Sequence, residues 1–167
     1  KVLEVSNSQL ENFNANAYAN IIKQAAEKEN AKVVIISSSI NSIYLAPLLA
    51  VGLNAGYASN VVDAPANTSP FTVKRTAFSN KAFEMCQINT DVKLIGVSKN
   101  SFGLVESNAN ASAEEFSPSI PDFGITIESV DRATDKVTIA DAEIVVSGGR
   151  GLKGPENWVM IEELAEE

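Results

Sequence analysis

Val33-Val34-Ile35-Ile36-Ser37-Ser38-Ser39 is the stretch whose reading decides the fold. Four consecutive β-branched side chains suit a strand covered on both faces, as in a parallel sheet. Upstream, Tyr18, Ile21, Ile22 and Ala25 recur at helical spacing, with Lys23, Gln24, Glu27 and Lys28 on the other side. Asn14 or Asn16 caps that helix by accepting a backbone N–H, and Asn30 ends it. Before it, Val2-Leu3-Glu4-Val5 reads as a short strand. After the serines a second helix is expected over 41–54. Pro47 is expected to distort its first turn or to move its start toward Leu45. Gly56 closes it, and 60–63 form the next strand. The order strand, helix, strand, helix, strand is the crossover pattern of a parallel α/β sheet.

Beyond that point the pattern changes. Residues 71–77 and 82–88 flank Ser79-Asn80-Lys81 and read as a β-hairpin added to the sheet. Residues 92–97 are a further apolar strand, and 98–121, rich in Ser, Asn, Ala and Glu, read as a long loop. Phe123, Ile125 and Ile127 alternate as in a half-exposed strand over 123–130. Residues 136–142 are weakly patterned. Ile144-Val145-Val146 reads as a last buried strand, followed by a glycine cluster and an amphipathic helix from Pro155. No internal repeat is present.

The chain has 167 residues, 45% hydrophobic and 20% charged, an ordinary globular balance for one domain. It opens on a strand at Lys1 and closes within an acidic helical pattern, 160–167, so it is expected to be an internal piece of a longer protein. A net charge of −8 argues against a nucleic-acid partner, which needs a basic surface. It also disfavours an anionic membrane surface. The longest apolar run, 43–53, falls short of the roughly 20 residues of a membrane span and is broken by Pro47 and Gly52, so no membrane insertion is expected. Histidine is absent and Cys86 is the sole cysteine. That excludes an internal disulfide, a Cys/His zinc site and any catalytic pair that uses histidine. The sequons at Asn67 and Asn110 read as chance matches.

The most informative local feature is Ser147-Gly148-Gly149-Arg150-Gly151-Leu152-Lys153-Gly154-Pro155-Glu156-Asn157. Gly149, Gly151 and Gly154 satisfy the G-x-G-x-x-G spacing, which lets backbone approach a pyrophosphate at a helix N-terminus. Gly149, Arg150 and Gly151 are therefore the candidate cofactor-binding residues. Against this, the acidic residue expected about 20 positions on falls at or past Glu167. The loop also ends the chain instead of joining a first strand to its helix, and Glu156 puts a carboxylate where an anion would sit. The alternative is a tight exit turn with Pro155 at the first helical position. No Gly-Lys-Ser/Thr makes it a phosphate loop.

Other candidates are weaker. Lys74 and Arg75 are adjacent on a strand and point to opposite faces, so they form no single anion clamp. Asp63 ends a strand where α/β ligands bind, although such an Asp more often caps a turn. Cys86 reads as a core or edge strand residue, and Glu162, Glu163, Glu166 and Glu167 as a solvated helix face. Trp158 is expected to anchor the last helix to something outside these residues.

The run from Asp141 to Asn157, with its Ser-Gly-Gly-Arg-Gly core, resembles the signature stretch of electron transfer flavoprotein alpha subunits. Upstream, Lys1-Val2-Leu3, Leu45-Ala46-Pro47, the small apolar segment ending at Asp63, Arg75 before an Asn turn, and Lys99-Asn100-Ser101-Phe102 match that family's order. Relatives with Ser-Gly where this chain has Gly154-Pro155 make the G-x-G-x-x-G match look incidental. The resemblance implies an α/β fold, mostly parallel with flanking helices, similar to Rossmann and adenine-nucleotide-hydrolase domains. It implies a truncated N-terminal domain over 1–154 and the start of a linker helix over 155–167. FAD would be bound mainly by residues beyond Glu167, and no FAD-contact motif of the family falls within these residues.

By the same resemblance the full protein is an electron carrier and not itself an enzyme. It pairs with a beta subunit, accepts electrons from flavin dehydrogenases such as those oxidising acyl-CoA, and passes them to a quinone reductase or another acceptor. Its setting would be the bacterial cytoplasm or the mitochondrial matrix. Two alternatives remain at this point: a nucleotide-binding α/β domain of the adenine-nucleotide hydrolase or universal-stress type, and a plain interaction module.

Overall fold

In the computed structural model, residues 1–107, 110–131, 137, 139 and 142–167 are described. They divide into two compact units, Lys1–Ile127 and Glu128–Glu167. The first unit holds eight strands: β1 (Val2–Glu4), β2 (Val33–Ser37), β3 (Gly56–Val61), β4 (Asn67–Thr68), β5 (Phe71–Ala77), β6 (Ala82–Gln87), β7 (Lys93–Val97) and β8 (Ala113–Glu115). Its helices are α1 (Ala15–Lys28) and α2 (Ile40–Gly52). Helix α3 (Val159–Glu166) belongs to the second unit. The weakly patterned stretch 136–142 lies largely outside the described residues.

Helix α1 starts as its sequence requires. Asn14 Oδ1 accepts hydrogen bonds from the amides of Asn16 and Ala17, at 3.0 and 3.2 Å, and so satisfies two donors that the first turn leaves open. Asn30, in the left-handed region at φ 50°, turns the chain out of the helix. Strand β2 then runs parallel to β7, which also pairs in parallel with β3. The main sheet has the order β2-β7-β3-β5-β4, with β6 beside β5. Strands β4, β5 and β6 are antiparallel additions, and β5 with β6 is the expected hairpin.

Two helices cover one face of this sheet. Ala19 of α1, Leu45, Ala46 and Leu49 of α2 and Leu94 of β7 form one buried cluster, with Val34 and Ile36 of β2 packed against it. A second cluster joins Ala58, Val61, Phe71, Val73, Ile88 and Ile95, with Cys86 beside it. Pro47 does not break α2, which runs without interruption from Ile40. The proline lies on the exposed side of the helix, where water can serve the carbonyl it leaves without a donor.

Several expectations need correction. Strand β2 is not covered on both faces: it is the edge of the sheet, and Ile35 is 64% exposed. Gly56 does not close α2 but opens β3, which begins earlier than expected and ends at Val61. The 98–121 stretch contains a strand, β8, which pairs in parallel with β1 in a separate two-stranded sheet. Residues 123–127 form no strand, because Gly124 takes a φ of 63° and its amide donates to Asp122 Oδ1, a local turn that interrupts the alternation. Nor do 144–146, where Ile144 is 85% exposed and finds no neighbouring strand among the described residues.

Strand β8 is held by charge. Glu114 accepts from Lys1 Nζ at 2.9 Å and pairs with Lys28, while Lys1 also reaches Glu29 at 2.8 Å. The two ammonium groups, Lys28 first, hold the Glu114 carboxyl down at about 2. Nearby, Gln24 clasps the backbone of Ser119, donating to its carbonyl at 2.8 Å and accepting from its amide at 3.0 Å.

Two predictions follow from this packing. Leu49→Ala should lower unfolding free energy by about 2–5 kcal/mol in urea titrations, whereas Ile35→Ala at the exposed edge should stay within about 0.5 kcal/mol. Because the folded pKa of Glu114 is depressed from its ordinary 4.5, its contribution is fully present above that value and is lost as pH falls toward 2. A carboxyl NMR titration should therefore find the Glu114 midpoint near 2, returning toward 4.5 when Lys1 and Lys28 are both changed to Ala. An ordinary midpoint in the unchanged protein would contradict the network.

Candidate functional site

In the second unit the glycine loop is built from two short turns. Gly149 is extended and precedes a 3-10 turn, Arg150–Leu152, after which Lys153 takes a left-handed φ of 67°. Gly154 leads into a second 3-10 turn, Pro155–Asn157, and only then does α3 begin. Asn157 Nδ2 closes the loop by donating to the Leu152 carbonyl at 2.8 Å. Arg150, Lys153 and Trp158 border a groove of about 350 Å³.

The loop is not built as a dinucleotide fingerprint. The strand, glycine turn and helix that present free amides to a pyrophosphate are not formed in sequence here. The Glu156 carboxylate lies beside Gly154, 2.3 Å from where a Cβ would sit. Glu162 adds a second negative charge in the first turn of α3. Gly148, in contrast, has a packing reason to be glycine: a Cβ there would stand 2.1 Å from Leu152 and 3.2 Å from Trp158. Trp158 thus lies beside Gly148 of its own unit, yet remains 44% exposed.

The remaining sequence candidates sit in the first unit. Asp63 Oδ1 accepts from the Ala64 amide at 2.9 Å and so shapes its own turn. Lys74 and Arg75 do diverge. Lys74 lies over the Phe83 ring, 4.6 Å from its centroid. Arg75 turns the other way: Nε donates to the Ser59 carbonyl at 2.9 Å, Nη2 to Ser59 Oγ at 3.0 Å, and Nη1 to Glu84 at 2.6 Å. Cys86 pairs across the hairpin with Val73, against the second core cluster.

Sequence reasoning missed a crevice of about 490 Å³ at the carboxyl ends of β2 and β3, over the middle strand β7. It is bounded by Ser38, Ser39 and the first turns of α2 on one side, and by Tyr57, Ser59 and Asn60 on the other. Asn60 reaches the rim because β3 carries a register shift between Ala58 and Val61, with Asn60 at φ 55°. Gly96 of β7 lies next to the Tyr57 and Ser38 side chains that line it. A Cβ there would meet the Tyr57 hydroxyl at 2.9 Å and Ser38 Oγ at 3.1 Å, so glycine is what lets both hydroxyls lie over the strand. Burial pushes the Tyr57 phenol up, and the charge of Arg75 opposes part of that rise. The only advance signal was the run of serines after β2.

Comparison with known proteins bears directly on this arrangement. The profile of the family described as "Electron transfer flavoprotein domain" matches residues 1–121, the stretch that forms the sheet, both its helices and the crevice. The chain belongs to the electron transfer flavoprotein family. Its relatives place it among the alpha subunits. It is 31% identical over 170 residues to the electron transfer flavoprotein subunit alpha of Bacillus subtilis, covering 99% of this chain and 52% of that protein. The subunit alpha of Syntrophomonas wolfei is 22% identical over 175 residues, covering 99% and 53%. A probable mitochondrial subunit alpha of Caenorhabditis elegans is 25% identical over 169 residues, covering 99% and 50%. The chain thus spans about half the length of these relatives.

Arg75 is the buttress behind the crevice wall. Arg75→Ala removes the donors to both oxygens of Ser59 and should cost about 1–3 kcal/mol in chemical denaturation. Lys74→Ala, which gives up only a ring contact, should cost about 0.5–1 kcal/mol. Equal effects would mean that the guanidinium does not hold the β3 wall.

Proposed function

We propose that this chain is the N-terminal domain region of the alpha subunit of an FAD-containing, two-subunit electron carrier. In this reading it is scaffold and subunit interface. The observation that carries it is the family match across residues 1–121, together with relatives named as alpha subunits over 99% of the chain. The flavin, which supplies the redox chemistry, is held by the part of the family's chain that these 167 residues do not span. The lack of a formed strand, glycine turn and helix around Gly149 among the described residues supports that division. The whole carrier accepts electrons from flavin dehydrogenases and passes them to a quinone reductase or another acceptor. Its setting is the bacterial cytoplasm or the mitochondrial matrix.

What this segment contributes follows from its surface. Helix α2 carries no charged residue, yet Tyr44, Leu48 and Val51 form an exposed apolar stripe along it. A helix that is apolar nearly all round is normally covered on both sides, and exposed patches of this kind mark interfaces. We assign this stripe to the contact with the second subunit.

Sedimentation of the chain mixed with the beta subunit of the same organism should show a one-to-one complex. Val51→Asp, at an exposed position, should weaken that complex at least about tenfold while leaving thermal unfolding unchanged. A complex that forms equally well with Val51→Asp removes α2 from the interface. The absence of any complex removes the scaffold reading.

A further inference from the structure

The crevice over β7 has no part in the carrier function just described, and its chemistry is specific. Its lining contains neither a carboxylate nor an ammonium group, although the chain as a whole carries a net charge of −8. It lies at the carboxyl ends of parallel strands, where open α/β sheets place their ligands. The 13-residue helix α2 begins there, with no acidic residue in its first turn and no side-chain cap from Ser39. The amides of Ile40 and Asn41 therefore have no acceptor within the helix. Ser38 Oγ, at the floor, is shut off from solvent and has no hydrogen-bond partner. A buried hydroxyl in that condition is costly unless something else completes it.

From these observations we propose that the crevice binds the phosphate group of a small phosphomonoester. The oxyanion sits on the amides of Ile40 and Asn41 at the start of α2, and the Ser38 and Tyr57 hydroxyls donate to it. The favourable end of the helix dipole faces the negative charge. Ile43, Ala46 and Pro47 supply an apolar wall for the body of the ligand. Asn60, brought to the rim by the register shift, offers an amide to a polar group on that body. Arg75 does not line the crevice; three of its five N–H donors hold Ser59 and Glu84 behind the wall.

The test is an amide NMR titration of the protein with inorganic phosphate, with phenyl phosphate, and with sodium chloride at matched ionic strength. The proposal expects saturable shifts at Ile40 and Asn41 with both phosphates and none with chloride. Phenyl phosphate should bind at least about fivefold more tightly, because only it uses the apolar wall. Equal affinities would assign the site to the free ion. Ser38→Ala should weaken phenyl phosphate at least about fivefold. Asn41→Asp, on an exposed residue, places a carboxylate in the first turn, which should raise or preserve the thermal unfolding midpoint while weakening the phosphates at least about fivefold. Shifts that do not saturate, shifts spread over the surface lysines, or affinities unchanged in both variants would overturn the assignment.

Discussion

Burial of the uncharged helix α2 against the central strand β7 is the constraint on which the first unit depends. Leu49 of the helix and Leu94 of the strand are both wholly buried in one cluster, and Leu45 and Ala46 complete the contact. This packing fixes the crossover from β2 to β3 over the top of β7. It thereby sets the mouth of the crevice, because the start of α2 and the end of β3 must then face each other. The charged side of the molecule plays a different part. Lys1, Lys28, Glu29 and Glu114 are exposed, so their pairs tie the small β1–β8 sheet to α1 without contributing core energy.

Much of this was legible in the residues because local and global preferences agree. Asn14 announces the start of α1, and it caps it. The hairpin is readable from the polar break between its strands; of Phe78, Ser79 and Asn80, all in the left-handed region, only Asn80 takes it readily. The glycine cluster was equally visible, but spacing alone does not show what surrounds each glycine. The Glu156 carboxylate beside Gly154 was legible too, but the packing of Leu152 and Trp158 against Gly148 was not.

What escaped the sequence escaped for physical reasons. Four β-branched residues in a row read alike in a central strand and at an edge, so the exposure of Ile35 was invisible. Strand β8, Ala-Glu-Glu, has little intrinsic strand preference; pairing with β1 and two lysines decides it. The crevice brings Ser38 together with Tyr57 and Asn60, about 20 residues on, through a parallel crossover that only the folded sheet completes. Its glycine, Gly96, sits in an otherwise apolar strand and gives no sign of the two hydroxyls above it.

The division of labour we propose makes this α/β unit a platform and leaves the flavin to the part of the family's chain that these residues do not span. The most direct measurement is a titration of FAD with the purified 167-residue chain, followed by flavin fluorescence and visible absorbance. The account predicts spectra that match free FAD throughout, with no saturation. Stoichiometric binding with a perturbed flavin spectrum would contradict it, and would return the glycine loop around Arg150 to the centre of the molecule's function.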